Sequence, residues 1–407
     1  MALTGLLGLS KALLYARLLG NVSLGLYSIA VLIVPYAEYL CHAGLYRGLE
    51  CILPALYGAG ETKAAHALRN RTAAAILLIT LAVLIPFTAI WLAFPELGGQ
   101  AHTAVLWGAY ITGADVLFGL AVQDLRARAD IFFFGGLAFS RAAVNLAIGV
   151  PLTLTLGYQG ALIADALSPL LLFVVAARFF CTNFRFVFGA PRELASVFHA
   201  GLPLMLRNLV SNLVLNLDRW IVALAFAPAL FGQYAFAMII VTAGALVHNV
   251  VTQHLGPRVI FDHGRGQDLR NALRRLDLFS LAMIAAFVLG WFPFRQAVAW
   301  FIPWQFPEYV LSAPLLTIVY WGVLFQILCQ YDWVAMALRQ TRLLFYATAG
   351  VSLAMGCLYA AGLSLGWGLN AFAWLYTTGR LLAALAPFVI ARALVRSASA
   401  VTRDVRA

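Results

Sequence analysis

The chain has 407 residues, 63% of them hydrophobic and 11% charged, with a formal net charge of +11. A soluble domain keeps roughly a quarter of its residues charged, and here the deficit runs the whole length, which excludes a soluble body on a single anchor. Five scattered cysteines (Cys41, Cys51, Cys181, Cys329, Cys357) show no C-x-x-C or Cys/His spacing, so they read as apolar fillers and not as a disulfide or metal framework.

A spanning helix needs about 20 mostly apolar residues to cross roughly 30 Å of hydrocarbon. Runs of that kind recur at 3–20, 26–49, 73–94, 102–123, 131–156, 160–180, 200–225, 232–255, 277–302, 310–330, 343–363 and 370–391. The first is expected to be a spanning helix rather than a secretory signal, because it lacks a basic n-region and another apolar run follows at once. The fold class predicted is therefore an all-α polytopic membrane protein of about twelve transmembrane helices.

The distribution of charge gives the orientation. The segments 50–72, 124–130, 178–198, 256–276, 339–342 and 392–407 carry 19 of the 27 Lys and Arg residues, and the six alternate loops carry none. Short loops rich in Lys and Arg stay in the cytoplasm, so both termini are expected to be cytoplasmic. Membrane topology accounts for the basicity, and no nucleic-acid partner is implied. All outward loops are short, which disfavours a membrane enzyme with an outer catalytic loop.

The chain repeats itself. Gly25-Leu26-Tyr27 follows the first apolar run, and Gly232-Gln233-Tyr234 follows the seventh, 207 residues later. Leu53-Pro54-Ala55-Leu56-Tyr57-Gly58 is answered by Gly256-Pro257-Arg258-Val259-Ile260-Phe261 at the inner end of the next run. Six helices per half give two lobes of parallel topology, 1–190 and 191–407, and two lobes rocking about a midplane site is a usual transporter plan.

Charged residues inside spans are costly and expected to face a partner or a watery cavity. The seventh run is the most informative. On a helical wheel Asn208, Asn212, Asn216 and Arg219 fall within about 80° of one another, with Arg207, Ser211 and Asp218 on the adjoining arc. This stripe reads as the lining of a cavity, or as interhelical hydrogen-bond glue; its second charged row exceeds what glue needs. Glu38 and His42 sit on the second run with Arg47 near its inner end. Glu38 is the candidate for a proton-exchanging group, since burial works against a charged carboxylate; the competing reading is a static ion pair with Lys11 or Arg17. On the eighth run His248, Asn249, Thr252 and Gln253 gather at the inner end as a wetted boundary. Arg141 and Asn145, with Asp115 and Asp165, are expected to form a structural charge cluster, and Arg380 has no evident partner in its lobe. No Walker loop, H-E-x-x-H or G-x-S-x-G occurs, so neither enzymatic chemistry nor a cofactor is predicted.

Tyr15-Ala16-Arg17-Leu18-Leu19-Gly20 with Gly25-Leu26-Tyr27, and later Leu217-Asp218-Arg219 with Gly232-Gln233-Tyr234, resemble the Wzx-type polysaccharide flippases. These belong to the MOP superfamily, with the lipid II flippases and the MATE exporters, and the resemblance covers essentially the whole chain. It implies a MOP/MATE-like fold in a bacterial inner membrane. It also implies transfer of an undecaprenyl-pyrophosphate-linked oligosaccharide between leaflets, in company with a polysaccharide polymerase and chain-length machinery. The implied cationic cavity places Arg17, Arg47, Arg207 and Arg219 on the pyrophosphate, a pairing suited to guanidinium geometry. Asn208, Asn212 and Asn216 are then left for the glycan, and Glu38 or Asp218 for ion coupling. The chain lacks the two extra helices of lipid II flippases. The alternative is a MATE-like ion-coupled small-molecule antiporter, which would want an anionic cavity.

Overall fold

The computed structural model describes residues 2–128, 130–181, 183–189, 191–239, 241, 259, 269–338 and 340–404. Fourteen helices carry the described chain: α1 Ala2–His42, α2 Leu45–Gly58, α3 Thr62–Ala93, α4 His102–Ala127, α5 Ile131–Leu156, α6 Tyr158–Val175 and α7 Pro191–Leu215. They are followed by α8 Leu217–Ala225, α9 Pro228–Ile239, α10 Leu269–Gln305, α11 Ser312–Leu328, α12 Asp332–Ala337, α13 Thr341–Ser364 and α14 Leu369–Asp404. No strand occurs among the described residues.

Nine of the helical segments among the described residues are long and apolar enough to cross a membrane, and their difference from the expected twelve is local. The first, Thr4–His42, has 39 residues, which at 1.5 Å per residue is about twice the hydrocarbon thickness. Gly20 interrupts it with non-helical angles (φ 69, ψ 175), so the helix has two legs, 2–19 and 21–42; the first matches the expected span 3–20, and the expected span 26–49 runs on past His42 into α2. The seventh expected span is broken by a turn at Asn216 into α7 and α8. The eighth runs mostly through residues outside those described, and His248, Asn249, Thr252 and Gln253 lie there.

The chain divides into two compact units, Met1–Asn216 and Leu217–Ala407. In the first, the second leg of α1 packs with α4 and α6 through Leu26, Ala30, Val34, Ala104, Ile111, Leu162 and Ala166. At its end, Ala43 (φ 45) and Gly44 (φ 83) turn the chain out of α1 and into α2. Gly44 and Gly48 form a G-x-x-x-G step, and small residues at that spacing let two helix backbones touch. A Cβ on Gly48 would stand 2.0 Å from the carbonyl oxygen of Val197, and one on Gly201 2.0 Å from that of Gly44. Backbone contact this close fastens α7 onto α2. α7 thus packs within the first unit.

The connection from α6 to α7 is fixed as well. Asn70 of α3 donates to the Asn183 carbonyl at 2.8 Å, accepts from the Arg185 N–H at 3.3 Å, and accepts from the Val187 N–H on its own carbonyl at 3.3 Å. Beside it Arg69, 1% exposed, donates to the fully buried Asp124 at 2.9 Å, which also takes the Tyr57 hydroxyl at 2.6 Å and an ion pair from Arg128. Burial pushes the nearby Cys181 thiol up to about 12, in keeping with an inert filler. In the second unit, α10, α12 and α14 share a core of Leu269, Ala272, Leu273, Leu276, Val334, Ala391 and Val395. Its Asp277 accepts from Tyr331 at 2.8 Å and from Arg392 at 2.9 Å.

Candidate functional site

Among the described residues, three polar clusters hold most of the candidate site residues. The first surrounds a cavity of about 280 Å³ inside the first unit, walled by the second leg of α1, α2, α4 and α5. Three acids (Glu38, Glu50, Asp115) and three arginines (Arg47, Arg126, Arg141) line it, with His42, Tyr39 and Tyr46 between them. Arg47 donates to Glu50 at 2.6 Å one helical turn away, Arg126 stands 3.7 Å from the same carboxylate, and Arg141 donates to Asp115 at 2.6 Å. Glu38 makes no hydrogen bond or ion pair among the described residues. His42 accepts the Gly44 N–H on Nδ1 at 3.2 Å, which fixes the neutral ring with its proton on Nε2. The imidazole is thus a hydrogen-bond donor held between the rings of Tyr39 and Tyr46.

The second cluster is deeper in the same unit. Asp165 of α6 accepts from Lys11 at 2.5 Å, from the Tyr27 hydroxyl at 2.7 Å and from Asn145 at 2.6 Å, while Asn145 also reaches the Ser168 hydroxyl at 2.9 Å. A buried carboxylate is tolerable only with this degree of pairing. The expected cluster of Arg141, Asn145, Asp115 and Asp165 is therefore present as two adjoining pairs. Lys11 belongs to Asp165, so the static pairing of Glu38 with Lys11 or Arg17 does not occur.

The third cluster lies in the second unit. Asp218 of α8, 2% exposed, accepts the Tyr234 hydroxyl at 2.6 Å. Arg219 and Arg380 are the cations acting on it, and Arg380 itself stands over the Tyr376 ring at 5.1 Å. Arg380, without an evident partner by sequence, thus shares a buried carboxylate with its own unit.

The other predicted residues fall as follows. Arg17 is exposed on the first leg of α1, and no hydrogen bond or ion pair joins it to another described residue. Asn212 donates to the Tyr39 hydroxyl at 2.7 Å, and its carbonyl accepts from Tyr36 at 2.9 Å and from Asn216 at 3.0 Å. Asn208 is half-buried on α7; the Arg207 side chain lies outside the described residues. A turn at Asn216 separates α7, which carries Asn208 and Asn212, from α8, which carries Asp218 and Arg219. Sequence reasoning passed over Glu50, Arg126, Tyr39 and Tyr46, although the i,i+3 spacing of Arg47 and Glu50 was a readable signal. It also left the repeated Gly-x-Tyr as a turn marker, whereas Tyr27 and Tyr234 are the hydroxyl donors to two buried acids.

Comparison of the whole chain with solved structures gives matches along almost all its length. A MATE family transporter of the MOP superfamily in its inward-facing conformation superposes with a TM-score of 0.67 at 16% identity, covering 98% of this chain and 96% of the other. The lipid II flippase MurJ, inward closed, gives 0.73 at 15% identity, covering 96% and 86%. The fold is MATE- and MurJ-like. A MOP superfamily transporter from Pyrococcus furiosus Vc1, with a binding pocket of reverse polarity, gives 0.58 at 17%, covering 98% and 95%. No family model and no curated protein matches the sequence. With nine apolar helices among the described residues and this fold, the chain is a multi-pass membrane protein, and the three solved structures are transporters and a flippase, not enzymes.

Proposed function

We propose that this MATE- and MurJ-like chain is a MOP-type flippase. It moves an undecaprenyl-pyrophosphate-linked oligosaccharide, the repeat unit of an O-antigen, capsule or exopolysaccharide, across the bacterial inner membrane by alternating access between two lobes. The observation that carries this reading is Arg17, an exposed guanidinium on a spanning helix with no acidic partner among the described residues. A charge so placed calls for an anionic ligand or a watery path. Arg17, Arg47, Arg207 and Arg219 hold the pyrophosphate in this reading, Asn208, Asn212 and Asn216 meet the glycan, and Glu38 or Asp218 couples an ion. A polymerase and chain-length machinery would receive the product on the outer face.

A second reading, a MATE-like ion-coupled antiporter of small molecules, is favoured by one observation: Glu38 faces the cavity with no ion pair. The sign of the transport cavity separates the two. Single replacements Arg219→Ala and Arg47→Ala are expected to lower surface glycan and accumulate lipid-linked precursor in the producing cell. Normal export in both would sink the cationic-cavity reading.

A further inference from the structure

The segment that leaves α6 has an unusual make-up for a connection on the Lys/Arg-rich side of the membrane. From Ala176 to Ala190 it holds five phenylalanines, two arginines and no acidic residue. Its backbone is pinned to Asn70 by the three hydrogen bonds already described. Burial alternates along it. Phe184 and Phe186 turn inward, their rings 5.5 Å apart and 5.5 and 6.4 Å from Phe173. Arg185, Val187 and Phe188 turn outward, and Phe188 is 62% exposed. One turn upstream, the Arg178 guanidinium covers the ring of Phe179 at 5.6 Å, and that ring is 72% exposed. Phe180 packs on Phe133 at 5.1 Å, and the adjoining Phe132 is 83% exposed. Neither Arg178 nor Arg185 meets an acidic side chain among the described residues.

Water does not favour several large rings left bare together, and hydrocarbon does not favour guanidinium. Aromatic rings beside long basic side chains suit the boundary between the two, with the rings among acyl chains and the charges at headgroup level. On the Lys/Arg-rich side of a membrane the counter-ions at that level are the phosphates of acidic lipids. We propose that this Phe/Arg edge is a binding surface for anionic phospholipid. Arg178 and Arg185 take the phosphate, and Phe132, Phe179 and Phe188 bed into the acyl chains. A zwitterionic lipid would leave the two positive charges uncompensated, and an acidic peptide would leave the rings bare. The surface anchors the stretch of chain that runs on into α7, and it stands whether or not the cargo is a lipid-linked glycan.

The test is native mass spectrometry of the full-length protein released from detergent with equal amounts of phosphatidylglycerol and phosphatidylcholine of the same chains. Phosphatidylglycerol should be retained in preference, by about fivefold per arginine, the factor that about 1 kcal/mol for each basic residue near an anionic surface gives. Arg178→Gln with Arg185→Gln should abolish the preference, and Arg178→Lys with Arg185→Lys should keep most of it. Equal retention of the two lipids by the wild type would overturn the proposal. So would a preference that survives the Gln pair, which would put the lipid elsewhere on the basic face. Displacement of phosphatidylglycerol by inorganic phosphate would also overturn it, since the surface would then read an anion without its chains.

Discussion

The two units place the same tyrosine against a buried acid that is carried and answered from different helices. Tyr27 and Tyr234 lie 207 residues apart, and each donates its hydroxyl to a buried carboxylate, Asp165 at 2.7 Å and Asp218 at 2.6 Å. Lys11 and Asp218 are separated by the same 207 residues. In the first unit that position supplies the cation and α6 supplies the acid; in the second it supplies the acid, and Arg380 of α14 is among the cations that answer it. The halves therefore share a hydrogen-bond donor and a buried carboxylate, but exchange which helix carries the acid and which the cation. Low-dielectric surroundings require that each buried carboxylate be answered by a cation, and which helix carries which charge is free. They differ also in how the acid is satisfied: Asp165 has a lysine, a tyrosine and an asparagine in direct contact, whereas Asp218 has a tyrosine and the Arg219 backbone N–H, with two arginines acting on it electrostatically.

The largest break in that comparison should come from stranding the acid of the first unit. Lys11→Ala leaves Asp165 without its cation, and losing one partner of a buried pair costs about 3–5 kcal/mol. A large fall in the melting temperature of the purified protein is expected, with much of it recovered in Lys11→Ala/Asp165→Asn; no fall would mean that the tyrosine and asparagine suffice. Next come the glycines. Gly201→Ala sets a Cβ against the backbone of Gly44, whereas Gly322→Ala of α11 meets the ring of Tyr376 at 2.5 Å, a side chain able to move. Overpacking costs about 1–3 kcal/mol and more where the neighbour cannot yield, so Gly201→Ala should melt well below Gly322→Ala, and the reverse order would contradict the backbone clamp between α2 and α7.

A smaller effect sharpens the difference in satisfaction. A hydrogen bond to a charged group contributes about 1.5–3 kcal/mol. Tyr234→Phe should cost the upper part of that range and Tyr27→Phe the lower, because Asp165 keeps two other direct donors. Equal losses on thermal or denaturant unfolding would show that the two acids are equally dependent on their tyrosines. The smallest change is expected from Glu38→Gln. With no hydrogen bond or ion pair to lose, the variant should melt at or slightly above the wild-type temperature, since a neutral amide is easier to bury than a carboxylate. Any loss of export in that variant would then report on transport and not on folding, while a strongly destabilised protein would reveal a structural partner for Glu38.

The class of molecule is legible without any structure: apolar runs matched to the thickness of hydrocarbon can fold in few ways, and their lengths mark α4, α5, α6, α11 and α13 to within a few residues. The amino-acid order also picked out the polar positions, because a charge inside a span is conspicuous. It did not determine the partners. Helical periodicity fixes the phase of Lys11, Glu38 or Arg380 on its own helix, but the helix that phase confronts is set by packing between elements far apart in the chain. Hence Lys11 found Asp165, 154 residues away, and Glu38 found no ion pair. Tertiary structure alone decided that Gly44, Gly48 and Gly201 would meet backbone to backbone, drawing α7 into the first unit. It also decided that the seventh span would turn at Asn216, where uninterrupted apolar periodicity had suggested one helix, because hydropathy records what a residue can be buried in and not the direction of the chain.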